Sequence, residues 1–393
     1  MIIDIAYWFS FLALLYTYLG YYLVIFILTA FKRNSKKNTG ISSQPLPHIG
    51  LVVPAYNEEK IIEEKIVNCL DLDYPKDRLT ILIITDGSED ESPGLVKQMI
   101  STADHPIFHL HQSKRNGKAH AMNRSVSWFN SSKTPPEFLV FTDANSMLVK
   151  ECISELIADF QDTSVGLVSG NKVVRSVDDL QASTEGSYWR YESSLKRMED
   201  KLNTVIGVVG EIFAIRLDLY DEIPVETVTE DLYISLKLAQ RGYKTSFAID
   251  AKGIEYSDGR LSTEFERRSR IAAGGFQVIY TTPELLNPLV HPLLSWQFVS
   301  HRVCRWVLSP IAFMIWVIVN LYILYFPVET WHSTAANITC LFLIAAMSGS
   351  FFSLRHPLFQ LPAYFVMIQI AMINGFLRYT TGRQKVTWNK VRT

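Results

Sequence analysis

Apolar residues gather at the two ends of the chain, and between them short apolar runs alternate with amphipathic stretches. Residues 5–31 carry no charge and exceed the roughly 20 residues that cross a bilayer as a helix. A cleaved signal peptide is the alternative, and it needs a basic start and a small-residue cleavage site. Here Asp4 precedes the run and bulky residues end it. Lys32, Arg33, Lys36 and Lys37 follow at once. By the positive-inside rule, the N-terminus then lies outside and the middle of the chain lies in the cytoplasm.

Residues 38–47 are polar and rich in Ser, Asn and Pro, which suits a linker. Beyond them the pattern predicts buried strands at 49–55, 80–85, 107–110, 137–142 and 165–169. Helices are predicted at 57–70, from Ser92 and Pro93 onward, at 118–129 and at 149–160. In the first of these, Ile62, Ile66, Cys69 and Leu70 share a face. Continuous apolar strands separated by amphipathic helices imply an α/β domain with a mostly parallel sheet covered on both faces. Such sheets bind ligands beyond the carboxyl ends of their strands.

The last third turns apolar again. Residues 306–326 form a strong membrane span, 335–352 a shorter one and 358–377 a third. Residues 285–305 mix Trp296, Phe298, His301, Arg302 and Arg305 with apolar positions. They suit an amphipathic interfacial helix or, equally, a packed soluble helix. The resulting division is an anchor and basic flank (1–37), a linker (38–47), an α/β domain (48–283), an interfacial segment (284–305), membrane helices (306–379) and a basic tail (380–393). Two rules conflict over that tail. Three spans carry it outside, yet Arg378, Arg383, Lys385, Lys390 and Arg392 prefer the cytoplasm.

The net charge of −1 gives no global basic field of the kind that nucleic acid would need. The four cysteines, Cys69, Cys152, Cys304 and Cys340, form no CxxC pair and sit among apolar residues. They read as core packing rather than as disulfides or a zinc site.

Acids stand where chemistry is expected. Asp86 closes one predicted strand in TDGSEDES and Asp143 closes another in FTDANS, while Glu230 and Asp231 open the helix TEDLYISLKLAQRG. Each also has a plainer reading. Asp86-Gly87 suits a turn, and Asp143 with Asn145 could cap the next helix. Glu230 could complete a capping box with Thr227, and Asp231 could simply favour the helix dipole. The segment KRNGKAHAMN sets Lys118 near a helix start, a position unfavourable for a cation. A bound anion would relieve that conflict. The segment lacks the earlier glycine and the Ser/Thr of a Walker loop, and no GxGxxG follows the first strand.

VVPAYNEEKII, TDGSEDES, NGKAHAMN, FTDANS and VTEDLYISLKLAQRGYK follow one another in the order seen in family 2 glycosyltransferases. The resemblance covers roughly residues 49–277 and extends to the membrane-integrated members with helices on both sides. It implies a GT-A fold with a cytoplasmic catalytic domain, and it implies an inverting transfer of a sugar from a nucleotide-sugar donor, with a UDP-sugar favoured. The acceptor would be lipid-linked or a glycan, in the synthesis of cell-surface glycans or glycolipids.

By the same resemblance, Pro54, Ala55, Tyr56 and Glu58 match the loop that holds base and ribose, and Asp86 matches the aspartate that contacts the base. Lys118 matches a basic residue near the donor. Asp143 and Asn145 match the motif that holds Mg2+ or Mn2+ against the diphosphate, and Asp231 matches the catalytic base. Gly210 and Glu211, in GEIFAIR, together with Glu230 line the acceptor side. Arg267, Arg268 and Arg270 stand where many members carry Gln-x-x-Arg-Trp. Two positions depart from the pattern. Asn145 replaces an acid, so it can ligate a hard cation but brings no charge. The absent Trp argues against a processive polysaccharide synthase, which is the nearest alternative. A non-catalytic sugar-nucleotide-binding subunit is a second alternative. A transporter would need polar groups in broken membrane helices, and here the acids lie outside them.

Overall fold

The buried runs of the middle of the chain assemble into one sheet, eight-stranded among the described residues. The structure is a computed structural model that describes residues 1–32, 46–176, 182–257, 260–326, 330–352, 354 and 356–387. The helix α1, a continuous run over Ile2–Ala30, opens the chain. The elements that follow are β1 Ile49–Ala55, α2 Ile62–Leu70, β2 Leu79–Asp86, α3 Ser92–Thr102, β3 Ile107–Gln112, α4 Lys118–Asn130, β4 Phe138–Thr142, β5 Met147–Leu148 and α5 Cys152–Ala158. Then come β6 Val165–Ser176, α6 Ala182–Leu202, β7 Ile212–Arg216, α7 Glu230–Gln240, β8 Lys244–Ser257 and α8 Leu261–Thr281. Three long helices close the described chain: α9 Pro292–Tyr325, α10 Thr330–Phe351 and α11 Pro357–Thr380.

Two compact units emerge. One comprises residues 32–175, 189–257 and 385–393, and the other residues 1–31, 176–188 and 258–384. In the first, β1 pairs in parallel with β2 and β4, and β2 with β3. The sheet then turns antiparallel, with β7 between β4 and β6 and with β5 against β8. In the order β3-β2-β1-β4-β7-β6-β8-β5, it is a mixed, GT-A-like sheet with helices, parallel through its first four strands. Period-two alternation sorts the side chains onto two faces. Ile49, Leu51 and Val53 pack with Ile62 and Ile66 of α2 and with Val96 of α3. Val52, Leu82 and Ile84 pack with Met122 and Phe129 of α4 and with Ile234 of α7. With both faces covered, the strands had to read as continuous apolar runs.

Among its described residues the second unit holds four helices long and apolar enough to cross a membrane, at Ile2–Ala30, Pro292–Tyr325, His332–Phe351 and Pro357–Thr380. Polar side chains tie them together. The Tyr18 hydroxyl lies 3.0 Å from Ser309 Oγ, the Gln369 amide donates to Tyr18 at 2.7 Å, and Ser309 donates to Gln369 Oε1 at 2.8 Å. Interhelical hydrogen bonds of this kind take the part that burial plays in water. Along α8 and α11, Arg378 Nη2 bonds both oxygens of Glu266 at 2.9 Å, and the Tyr364 hydroxyl meets Glu264 at 3.1 Å.

Several expected boundaries move. The helix expected at 57–70 begins at Ile62, because Asn57 takes a left-handed φ of 53° and the chain turns before the helix can start. The helix expected at 149–160 shortens to Cys152–Ala158. Of the segment expected at 284–305, residues 283–286 form a short 3-10 turn that precedes the next helix. From Pro292 the segment runs unbroken into the apolar helix that ends at Tyr325. The four cysteines are free thiols, Cys340 half-buried and the others buried. Residues 38–45 of the expected linker lie outside the described residues, as do Arg33, Lys36, Lys37, Lys390 and Arg392.

Candidate active site

Beyond the carboxyl ends of β1 and β2, two loops are stitched to each other. Ser88 accepts from the Asn57 N–H at 3.1 Å, and Ser92 accepts from the Glu58 N–H at 2.8 Å. Asp90 accepts from the Glu59 N–H at 3.0 Å, and Asn57 Oδ1 returns the link by accepting from the Glu89 N–H at 2.9 Å. Pro54 and Ala55, paired with Ile84 and Thr85, end β1 just before these loops. The Tyr56 ring that follows carries the Arg115 guanidinium 3.5 Å above its centroid. Arg115 lies in the basic segment KRNGKAHAMN, and nothing in the sequence alone marks it as a partner of Tyr56.

Asp86 ends β2 as expected, and its carboxylate is filled from within. Oδ1 accepts from Gln112 Nε2 at 2.7 Å and from the Asn116 N–H at 3.0 Å, and Oδ2 accepts from the Gly117 N–H at 2.7 Å. It thereby fixes the turn that launches α4. Lys118, the first residue of α4, reaches three partners at once. Its ammonium donates to Asp143 Oδ1 at 2.6 Å and to the Gly210 carbonyl at 2.9 Å, and it lies 3.3 Å from Glu230 Oε1. Burial alone would lower the lysine's pKa, but the carboxylates of Asp143 and Glu230 outweigh it and hold the pKa above its ordinary value. The cation at a helix start, which the sequence left in want of an anion, is thus met by the chain's own acids.

Asp143 follows β4, and Asn145 follows in the same turn. The Asn145 amide donates through Nδ2 to Glu255 Oε1 of β8 at 3.1 Å. Glu255 also contacts the ammonium of Lys172 on β6, which in turn bonds Glu211. Beneath this turn Lys65 of α2 is fully buried. Its ammonium donates to Thr142 Oγ1 at 3.0 Å and to the Ser146 carbonyl, one partner on each side of Asp143 and Asn145. Lys65 was legible in principle, since it shares the apolar face of α2 with Ile62, Ile66 and Cys69. Lys172 and Glu255 were not, because only the sheet brings them together.

Glu230 and Asp231 open α7, whose N-cap is Thr229 and which has no side-chain cap bond. The capping box with Thr227 is therefore absent. Asp143 and Asn145 cap nothing either, because the next helix is preceded by Glu151. Gly210 lies against the base candidate. A β-carbon on it would come within 2.9 Å of Asp231 Oδ2, closer than side chains tolerate. Burial first, and the neighbouring Glu230 second, push the Asp231 carboxyl up to about 6 against the opposing pull of Lys118. A carboxyl tuned upward in this way suits proton transfer near neutral pH.

Lys118 thus gathers Asp143, Gly210 and Glu230 around one ammonium, with Asp231 and Glu211 adjoining and Asp86 one residue away through Gly117. Arg267 and Arg270 lie on α8, in the other unit. Arg267 lies 3.5 Å from Glu264, and Arg268 is buried against Glu264 and the Tyr188 ring.

A divalent cation fits the residues present. Among the described residues no group of three or more His, Cys, Asp or Glu side chains is placed to hold a metal ion. Asp143 is one third exposed, and Asn145 has its NH2 turned to Glu255, which leaves its oxygen available to a cation. Mg2+ and its relatives are commonly held by one or two protein oxygens together with substrate phosphates.

Two family models match the chain: glycosyl transferase family 2 over residues 51–223, and glycosyl transferase family group 2 over residues 138–368, more than half of its length. The chain belongs to glycosyltransferase family 2. Family 2 is an inverting family whose donors are nucleotide sugars. Among curated relatives, the poly-beta-1,6-N-acetyl-D-glucosamine synthase of Staphylococcus aureus is 26% identical over 251 residues, 62% of this chain and 58% of the relative. The beta-monoglucosyldiacylglycerol synthase of Synechocystis is 24% identical over 250 residues, 60% of this chain and 49% of the relative. The matched segment therefore spans about half the length of these relatives. A mannosyltransferase from Pyrobaculum calidifontis, solved with GDP-Man and Mn2+, superposes with a TM-score of 0.74 at 19% identity, covering 98% of this chain and 100% of that one. That likeness shows the shared fold, a GT-A-like domain with long apolar helices.

Proposed function

We propose that this family 2 enzyme transfers one or a few sugars, with inversion, from a nucleoside diphosphate sugar to a lipid-linked or glycan acceptor at the cytoplasmic face of a membrane. The observation that carries the reading is the convergence of Asp143, Gly210 and Glu230 on the Lys118 ammonium, beside an Asp231 whose pKa is raised. The loops around Tyr56 and Asp86 would hold the nucleotide. Asp143 and Asn145 would hold Mg2+ or Mn2+, which would supply positive charge for the diphosphate. Lys118 adds a fixed cation where negative charge develops on the leaving group. The acceptor oxygen attacks the anomeric carbon, the bond from that carbon to phosphate breaks, and the acceptor proton passes to Asp231. One displacement inverts the anomeric centre.

A UDP-sugar is the donor we favour. The replacement of Gln-x-x-Arg-Trp by Arg267-Arg268-Ser269-Arg270-Ile271 favours short products. The likeness to a polymer synthase supports the processive alternative. A panel of UDP- and GDP-sugars with the protein in nanodiscs, with and without Mn2+, tests both points. Nucleoside diphosphate release with one UDP-sugar and a product of one or a few sugars is expected. A long polymer overturns the short-product reading, and release with no donor overturns the enzyme reading.

The tail is proposed to lie on the catalytic side. Residues 385–387 belong to the same unit as Gly117, and Val386 Cγ1 lies 3.3 Å from where a β-carbon on Gly117 would stand. Three crossings after the catalytic unit would carry the tail to the far side of the membrane, so two are required. One of α9, α10 and α11 is therefore proposed not to span the bilayer. The basic residues Arg378, Arg383 and Lys385 then lie where the positive-inside rule prefers them.

A further inference from the structure

We propose that Glu255 and Lys172 are positioning residues that hold the Asn145 amide with its oxygen turned to the cation side, so that asparagine at 145 is a requirement of this chain and not a weakened aspartate. The proposal rests on the reading that Asp143 and Asn145 hold the cation.

The register of the sheet brings the partners together. β5 pairs antiparallel with β8, Met147 opposite Ile254 and Leu148 opposite Gly253. The next step along this ladder brings Glu255 beside the turn that carries Asn145. The approach is close: a β-carbon on Gly253 would stand 2.6 Å from Ser146 Oγ. An amide has donors on one side and an acceptor on the other. Pinning Nδ2 on Glu255 at 3.1 Å therefore fixes where the oxygen points. Glu255 is itself buried, 5% exposed, and so is Lys172 at 3%. The Lys172 ammonium touches Glu255 and Glu211 together and lies 5.1 Å from the centre of the Trp189 ring. One lysine thus braces the carboxylate that orients Asn145 and the carboxylate beside Gly210.

An aspartate at 145 would set its carboxylate against that of Glu255 in a desolvated site, where like charges repel strongly. It would swing away or lose its charge. Adding the acid common in the family would therefore weaken cation binding in this chain. Pairing that change with Glu255→Gln would restore a donor to face Asp at 145 and recover the geometry.

The test is Mn2+ titration followed by electron paramagnetic resonance, on the full-length protein in nanodiscs with UDP present, alongside thermal melting. Asn145→Asp should bind Mn2+ roughly 10- to 100-fold more weakly than the wild type, the range expected when support around a metal ligand is lost. The Asn145→Asp/Glu255→Gln pair should regain most of that loss. Lys172→Met should also weaken Mn2+ binding, beyond what its change in melting temperature accounts for. Asn145→Asp binding Mn2+ as tightly as the wild type, or more tightly, overturns the proposal, as does a double variant no better than the single one. Asp143→Asn separates the two layers of the argument. Undiminished binding by that variant, or no binding by the wild type, overturns the cation reading and the proposal with it.

Discussion

Asp231 sits where its charge is costly, and that cost is its usefulness. Its carboxyl titrates at about 6, raised first by burial and then by Glu230. Below that pH it keeps its proton and cannot accept another, so kcat/KM should rise with pH through about 6; a profile flat from 5 to 8 would contradict this. Lys118 pulls the value down, so Lys118→Met should move the midpoint above 6 while weakening donor binding, both read from pH-dependent kinetics. The sign for stability is the reverse of a salt-bridged acid. The folded value exceeds the unfolded one, about 3.9, so the ionised form is disfavoured by the fold at neutral pH. Asp231→Asn should therefore melt no lower than the wild type at pH 7.5, a result that differential scanning calorimetry would show.

Among the elements, the turn between β3 and α4 depends on one side chain from another strand. Asp86→Ala leaves the Gln112 amide and the N–H groups of Asn116 and Gly117 without their acceptor, and hydrogen bonds to a charged group contribute about 1.5–3 kcal/mol each. The variant should melt several degrees lower and bind nucleotide more weakly, and Asp86→Asn should fall between; unchanged melting and binding would remove Asp86 from this role. The parallel half of the sheet was legible because strands covered on both faces must be apolar throughout, as in LVV of β1 and ILII of β2. The antiparallel half was less so. β8 carries Lys244, Asp250, Lys252 and Glu255, and no alternation there announces which side chains meet others. Asp143 and Asp231 could be picked out from strand ends and a helix start. Lys172 and Glu255 stand 83 positions apart (255 − 172 = 83), and only the sheet order makes them neighbours. Lys65 broke an apolar helical face, a local conflict of the kind that marks a buried charge with assigned partners.

For the molecule as a whole, the proposed topology has the active site and residues 385–387, which belong to one unit, facing the same side of the membrane. A cysteine at Val386 and another at Glu89 should therefore react with a membrane-impermeant maleimide only in inverted vesicles, and labelling of the Val386 position alone in intact cells would show that an odd number of the C-terminal helices cross. The central claim is that Asp231 takes the acceptor's proton in a site assembled around Lys118. It is tested most directly by measuring donor turnover and donor binding in the same preparations of wild type and Asp231→Asn, with the donor found active in the panel. The account predicts unchanged donor affinity with transfer lowered roughly 10²- to 10⁴-fold, the range for losing a general base. Transfer by Asp231→Asn at the wild-type rate would contradict it.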